Sequence, residues 1–181
     1  PIGINIWTRN LKLDSKPNMS FVNDFIFKFL RENKMKMFRW KLLNYIIPTK
    51  QLLFKWKIST DSKCNFCQTE DEDYFHFFIT CSFLKDFWNK VEHLLAQLNF
   101  KNKISVKQLV FGYKISDKGY YGFNYFLTVL GFCIFKSYYV SEQKLKYIDV
   151  YELFIKELRR VMKESKIISQ NVFFINLKKL I

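Results

Sequence analysis

Acidic side chains are in short supply in this chain. Its 181 residues hold 16 Asp and Glu against 30 Lys and Arg, a formal charge of +14. An imbalance of that size points to a polyanionic partner, the plainer alternative being a basic surface that serves solubility alone. Alanine occurs once, while Lys, Phe, Ile, Asn and Tyr abound. That pattern reads as an AT-rich coding sequence, which favours Lys over Arg but does not explain the missing acids. Cysteine is limited to four residues, three of them crowded into 64–81. Such crowding does not resemble a disulfide framework and suits a reducing compartment, the cytosol or nucleus. The amino-terminal "PIGINIWTRN" lacks the basic stretch, apolar run and small-residue cleavage site of a secretory signal. The absent initiator Met suggests a segment of a longer protein.

What is present can fill a core. The chain is 49% hydrophobic and 19% aromatic, which argues for a folded domain and against disorder. Residues 120–140, "YYGFNYFLTVLGFCIFKSYYV", are long enough to cross a bilayer. Asn124, Thr128, Lys136, Ser137 and two glycines interrupt that run, so a buried core helix is expected and no membrane contact. Cys133 within it reads as a small buried hydrophobe.

The charge is unevenly spread. Residues 1–60 carry 12 basic and 3 acidic side chains, residues 61–100 carry 3 and 7, and residues 101–181 carry 15 and 6. The cysteine cluster therefore lies in the one acidic third. A phosphate backbone would be repelled there, and nucleic-acid contacts are expected from the flanking helices.

The fold class expected is mainly α, a helical domain with a small zinc-stapled lobe. Three segments are anticipated, packed as one unit: a basic, aromatic-rich helical segment over 1–60, the metal lobe and its following amphipathic helix over 61–100, and a helical tail over 101–181. Residues 21–47 predict one long helix or two broken near Asn33, with Pro48 beyond the end. Residues 51–58 predict another helical turn. Phe83, Leu84, Phe87, Trp88, Val91, Leu94, Leu95 and Leu98 form one stripe at helical spacing, with Ser82 placed as N-cap. His93 falls on the opposite face with Lys85, Asp86 and Asn89 and reads as solvated. Asp149 opens a further helix, with Glu152 in the third position of an acidic capping box. "SVKQLVFGY", residues 105–113, reads as a short strand or extended connection, and 171–177 as a terminal strand or helix.

The chemistry concentrates in C-x2-C-x8-H-x4-C: Cys64, Cys67, His76 and Cys81. Two thiolates two residues apart grip one ion, and a later His–Cys pair completes a tetrahedron. With four protein ligands no position remains for water, so one structural zinc is expected and no metal catalysis. A chance grouping and a redox C-x-x-C pair are the alternatives; the second lacks a thioredoxin-like strand–helix context. Glu70, Asp71, Glu72 and Asp73 read as a solvated loop and not as an acid–base pair.

Residues 38–91 resemble the zinc-binding region at the carboxyl end of LINE-type, non-LTR retrotransposon reverse transcriptases. The features that carry the resemblance are Arg39 and Trp40 in a basic aromatic helix, the Ile47-Pro48-Thr49 turn, Cys64 with Cys67, Glu72 four residues before His76, Cys81, and Trp88. "VFGY" and the apolar helix after it fit the family's looser tail. The resemblance implies a segment downstream of the polymerase domain of the same polyprotein, contacting template RNA, target DNA or both during target-primed reverse transcription. It also implies work in cytoplasm and nucleus. No Tyr-x-Asp-Asp-type polymerase motif occurs. The prolines, Pro1, Pro17 and Pro48, are none followed by Asp, as the nuclease of some related elements would require. The chain is therefore expected not to be an enzyme by itself.

Candidate phosphate contacts are Arg31, Lys34, Lys36, Arg39, Lys41, Lys55 and Lys57. Trp40 and Trp56 are candidate base platforms, with burial in the core as the expected alternative for both. The competing function is a zinc-stabilised interaction module that docks on the polymerase core or a partner protein.

Overall fold

The computed structural model describes residues 2–15, 17–100, 103–113, 120–141 and 149–181. The chain is mainly helical. In order come α1 (Ile2–Asn10), α2 (Met19–Asp24) running into a π turn at Phe25–Phe29, α3 (Asn33–Leu43) and α4 (Lys50–Lys55). After the metal loop follow α5 (Lys85–Gln97), α6 (Val106–Phe111), α7 (Tyr120–Ser141), α8 (Val150–Glu164), α9 (Lys166–Ser169) and α10 (Val172–Lys178). Among the described residues the only extended pairing is an isolated antiparallel bridge between Lys63 and Asp71.

Helix α7 is the hub, packing on α3, α6, α8 and α10. Residues 122–134 are buried without a break, as expected of a helix that is apolar on every side. Its polar groups are satisfied locally. Thr128 Oγ1 donates to the Asn124 carbonyl at 2.9 Å, and Ser137 Oγ to that of Ile134 at 2.8 Å. Asn124 brackets Tyr113, accepting from its N–H at 2.7 Å and donating to its carbonyl at 3.0 Å. Cys133 is fully buried. No helix of the described residues is long and apolar enough to cross a membrane.

The expected break near Asn33 falls at Leu30–Glu32, between the π turn and α3. Asp149 caps α8 as anticipated, its carboxylate accepting from the N–H groups of Tyr151 and Glu152. Two local expectations are corrected and one alternative is decided. Residues 106–111 are helical, because Ser105 and Gln108 close a capping box that a strand reading overlooks. Residues 172–178 take the helical one of their two anticipated states, capped by Asn171. Ser82 does not cap α5. It opens a 3-10 turn, Ser82–Leu84, in which Leu84 N–H bonds to the Cys81 carbonyl at 2.9 Å, so the cap position moves to Leu84.

Only five glycines occur, and helix ends show how the chain manages without more. Four helices close with paired bonds of the Schellman type while a non-glycine residue takes the left-handed position: Lys12, Tyr45, Lys57 and Asn99, at φ 48°, 59°, 59° and 59°. Glycine is kept where nothing else fits. At Gly112, φ 74°, a Cβ would lie 2.8 Å from Asn124 Oδ1, the atom that holds Tyr113. At Gly3 a Cβ would lie 2.4 Å from the Asn44 backbone, so α1 can lie directly on the end of α3.

Candidate metal centre and the surface beside it

The four ligands converge because three short local structures turn them inward. The Cys64–Cys67 knuckle closes through Gln68 N–H to Cys64 carbonyl, 2.9 Å. His76 begins the π turn His76–Thr80, whose entry is fixed by His76 N–H donating to Asp73 Oδ1 at 2.7 Å. Cys81 follows that turn, and its own N–H returns to the His76 carbonyl at 3.1 Å.

The ligand atoms all lie within 4.8 Å of one another. Cys64 Sγ and Cys81 Sγ are 3.9 Å apart, and Cys67 Sγ lies 3.3 Å from His76 Nε2. A tetrahedron with Zn–S near 2.3 Å and Zn–N near 2.0 Å has S–S edges of about 3.8 Å and S–N edges of about 3.5 Å. The spacing thus fits one tetrahedral ion and is far too long for a disulfide. Cys64, His76 and Cys81 are buried and Cys67 is half-buried. The donor set and its geometry are consistent with one zinc ion, held by Cys64, Cys67, His76 and Cys81.

The surroundings favour thiolate at Cys67 and Cys81 and give His76 a carboxylate partner. Phe66 N–H donates to Cys64 Sγ at 3.4 Å and Thr69 Oγ1 to Cys67 Sγ at 3.3 Å. Burial works against the Cys67 thiolate, yet the Thr69 hydroxyl and the backbone N–H groups nearby hold its pKa below the usual value. The Cys64–Cys81 contact brings the Cys81 thiol down to about 6 and pushes Cys64 up. His76 Nδ1 lies 3.2 Å from Glu70 Oε2, the outer carboxylate that orients a ligating imidazole so that Nε2 faces the metal. Burial alone would lower the His76 pKa; Cys81, Cys67 and Glu70 outweigh it and raise it.

The acidic loop is more differentiated than its composition suggests. Glu70 serves His76, Asp71 pairs with Lys63 at 3.0 Å, and Asp73 fixes the π turn. Glu72 is not solvated, contrary to expectation. It is fully buried, and its Oε1 accepts from Lys50 N–H at 2.8 Å. With Thr49, whose hydroxyl accepts from Leu52 N–H, it caps α4 from the metal loop. Burial raises its pKa, against the pull of that N–H.

Further ties bind the lobe to its neighbours. Tyr74 OH donates to the Ile47 carbonyl at 3.0 Å and accepts from Ile47 N–H at 2.8 Å, so the Ile-Pro-Thr turn is latched to the metal loop. Tyr74 stacks on Tyr45 at 4.2 Å, and Trp7 meets both rings edge-on. Trp88 Nε1 donates to the Phe78 carbonyl at 3.0 Å, fixing α5 to the π turn. His93 is exposed on α5 with Lys85, Asp86 and Asn89, outside the ligand group, as its face predicted.

The candidate phosphate contacts separate into groups. Arg31, Lys55 and Lys57 are exposed, and Lys36 and Lys41 are half-buried. None of the ion pairs among the described residues uses these five. Lys34 is exposed but pairs with Glu157 at 2.7 Å and Glu32 at 3.2 Å. Arg39 leaves the set. It is buried, and its guanidinium donates to the carbonyls of Leu109 and Val110 (2.8 Å to the latter). Those carbonyls belong to the last turn of α6, where they have no partner within the helix. Burial pulls the Arg39 pKa down to about 10, which leaves it charged at neutral pH. The core expectation for the tryptophans is corrected too: Trp40 and Trp56 are 46% and 49% exposed.

Residues 6–88 match the family model described as zinc-binding in reverse transcriptase. That span contains all four ligands, Glu72, the Ile47-Pro48-Thr49 turn and Trp88. The family is an accessory zinc domain of reverse transcriptase, not a catalytic one. No curated protein and no solved structure matches the chain.

Proposed function

We propose that the chain is a structural-zinc, nucleic-acid-binding domain of a LINE-type, non-LTR retrotransposon reverse transcriptase, and that it contacts template RNA or target DNA during target-primed reverse transcription. The observation that carries this reading is the closed Cys3His group in a chain that also carries Arg31, Lys36, Lys41, Lys55 and Lys57, which take part in no ion pair among the described residues. Metal bound there supplies cross-linking and no open coordination site, so the ion holds shape. Glu72 and Tyr74 transmit that shape to α4 and to the end of α3. Arg31, Lys36, Lys41, Lys55 and Lys57 then neutralise phosphates, with the acidic metal loop turned to its own internal bonds. The rest of the polyprotein, including the polymerase, is the natural neighbour of such a domain, and its work would lie in cytoplasm and nucleus.

The test is a titration of labelled RNA with the chain at several salt concentrations, before and after chelation. Four or five phosphate contacts predict a slope of log K against log salt of about −3 for a single strand. Chelation should abolish the binding. A flat salt response, or binding untouched by chelation, would sink the reading.

A second reading has its own observation. Phe54, Trp56 and Ile58, at and just beyond the end of α4, are 49%, 49% and 70% exposed, which suits docking on the polymerase core or a partner protein. Negligible RNA affinity at low salt, despite the charge of +14, would favour it.

A further inference from the structure

The outward side of α3 carries a groove that the metal centre does not account for. Phe27, Asn33, Lys36, Met37 and Trp40 line it, a shallow, open groove of about 520 Å³. Phe27, Met37 and Trp40 are 62%, 54% and 46% exposed. At 100° per residue Met37 and Trp40 fall along one line of the helix, and Lys36 and Lys41 fall on either side of it. The opposite side, Met35, Phe38, Arg39 and Leu42, is the buried one.

Charge on the helix is divided between its first turn and the rest. Lys34, turned toward α8, is neutralised by Glu32 and Glu157. Lys36 and Lys41, which flank the apolar line, take part in no ion pair of the described residues. An aromatic and thioether floor between two cations matches a flat heterocycle joined to phosphates on both sides. It does not match an acidic protein segment as well, since the floor itself offers no charge.

We propose that this groove is a stacking site for one unpaired base of single-stranded RNA. Trp40 and Phe27 supply the faces, Met37 the floor, and Lys36 and Lys41 meet the phosphates before and after the base. Paired bases are stacked on their neighbours and cannot enter, whereas RNA loops and ends present unpaired ones. The inference rests on the nucleic-acid reading above and adds to it the strand state and the place of contact.

The test uses the 181-residue chain, a labelled single-stranded RNA of mixed sequence and a blunt RNA duplex of equal length, with fluorescence anisotropy as readout. Trp40→Ala should weaken single-strand binding by about 5- to 100-fold, Trp40→Phe far less, and duplex binding and the salt slope should stay as they are. Met37→Glu, which places an acid on the floor, should weaken single-strand binding by about tenfold or more. It provides the reading should Trp40→Ala fail to fold by circular dichroism. Single-strand binding that remains salt-sensitive yet is unchanged in Trp40→Ala and Met37→Glu would overturn the base site and leave the nucleic-acid reading standing. Equal losses on single strand and duplex would overturn it as well. No RNA binding by the wild type at low salt would remove both.

Discussion

Glu72 Oε1 accepts the backbone N–H of Lys50 at 2.8 Å. A carboxylate from the metal loop therefore caps the helix that precedes the loop by a full turn and more of chain. The carboxylate is buried while its donor, at the half-buried Lys50, is not, so the cap is anchored from the interior of the lobe.

Glu72→Ala should consequently cost about 1.5–3 kcal/mol of stability, since the N–H of Lys50 loses a charged acceptor. Glu72→Gln, which keeps an oxygen in place, should cost about 1 kcal/mol. Urea unfolding of the zinc-loaded proteins measures both. Equal stability in all three would mean that the cap contributes nothing.

Removal of the metal should be felt well beyond the loop. The buried apolar residues form one cluster that includes Cys64, Tyr74, Phe77, Phe78 and Cys81 along with α3, α5, α7 and α8. Chelation, Cys64→Ser or His76→Ala should thus lower the helical signal of at least residues 60–100, because zinc affinity is folding free energy there. His93→Ala, on the exposed face of α5, should leave both zinc content and circular dichroism unchanged. An intact signal after chelation would refute the structural role.

Lys12 holds φ 48° at the end of α1 and is exposed. A left-handed conformation costs a side-chain-bearing residue about 1 kcal/mol or more, and glycine escapes that cost. Lys12→Gly should therefore stabilise the protein by about 0.5–1 kcal/mol, a rise of roughly 1–4 °C in Tm for a domain of this length. A lower Tm would show that Lys12 makes a compensating contact.

Glu157 provides a pH prediction. Burial works against its ionisation, but Arg160 and Lys34 overcome this and hold its pKa at about 2, below the ordinary 4.5. A depressed carboxylate stabilises the fold above its unfolded pKa and loses that contribution as pH falls toward the folded value. Between pH 4.5 and 2 the wild type should thus lose on the order of 2 kcal/mol that Glu157→Gln never had. Metal release in acid would affect both proteins alike, so the quantity to measure is the difference in urea stability between the two proteins as a function of pH. A difference that stays constant from pH 6 to 2 would contradict the assignment.

Much of the centre was legible from order along the chain. Cys64, Cys67, His76 and Cys81 are close in sequence, and knuckle spacing brings near neighbours together whatever the rest of the fold does. Helices α5, α7 and α8 were legible for a related reason, since their periodicity and caps are local. The misreadings share a different cause. Arg39 and Lys36 are both basic residues of one helix, and only the arrival of α6 decides that Arg39 is buried beneath two carbonyls while Lys36 stays outside. Glu72 and Glu70 are two residues apart, yet one caps a helix 22 residues earlier and the other faces solvent and His76. Ser105 and Gln108 could have been found, because a capping box is a local signal. The apolar residues of 105–113 suit a strand as well, and only the box separates the two.

The sequence by itself determined the helical class, the ligand set and the cationic balance, because periodicity, spacing and charge are properties of neighbouring residues. Only the tertiary structure decided which cations are neutralised, which tryptophans face outward and which acid holds the metal loop to α4. Those outcomes depend on desolvation and on partners distant in the chain, and a buried charge takes its role from whatever the packed fold sets against it.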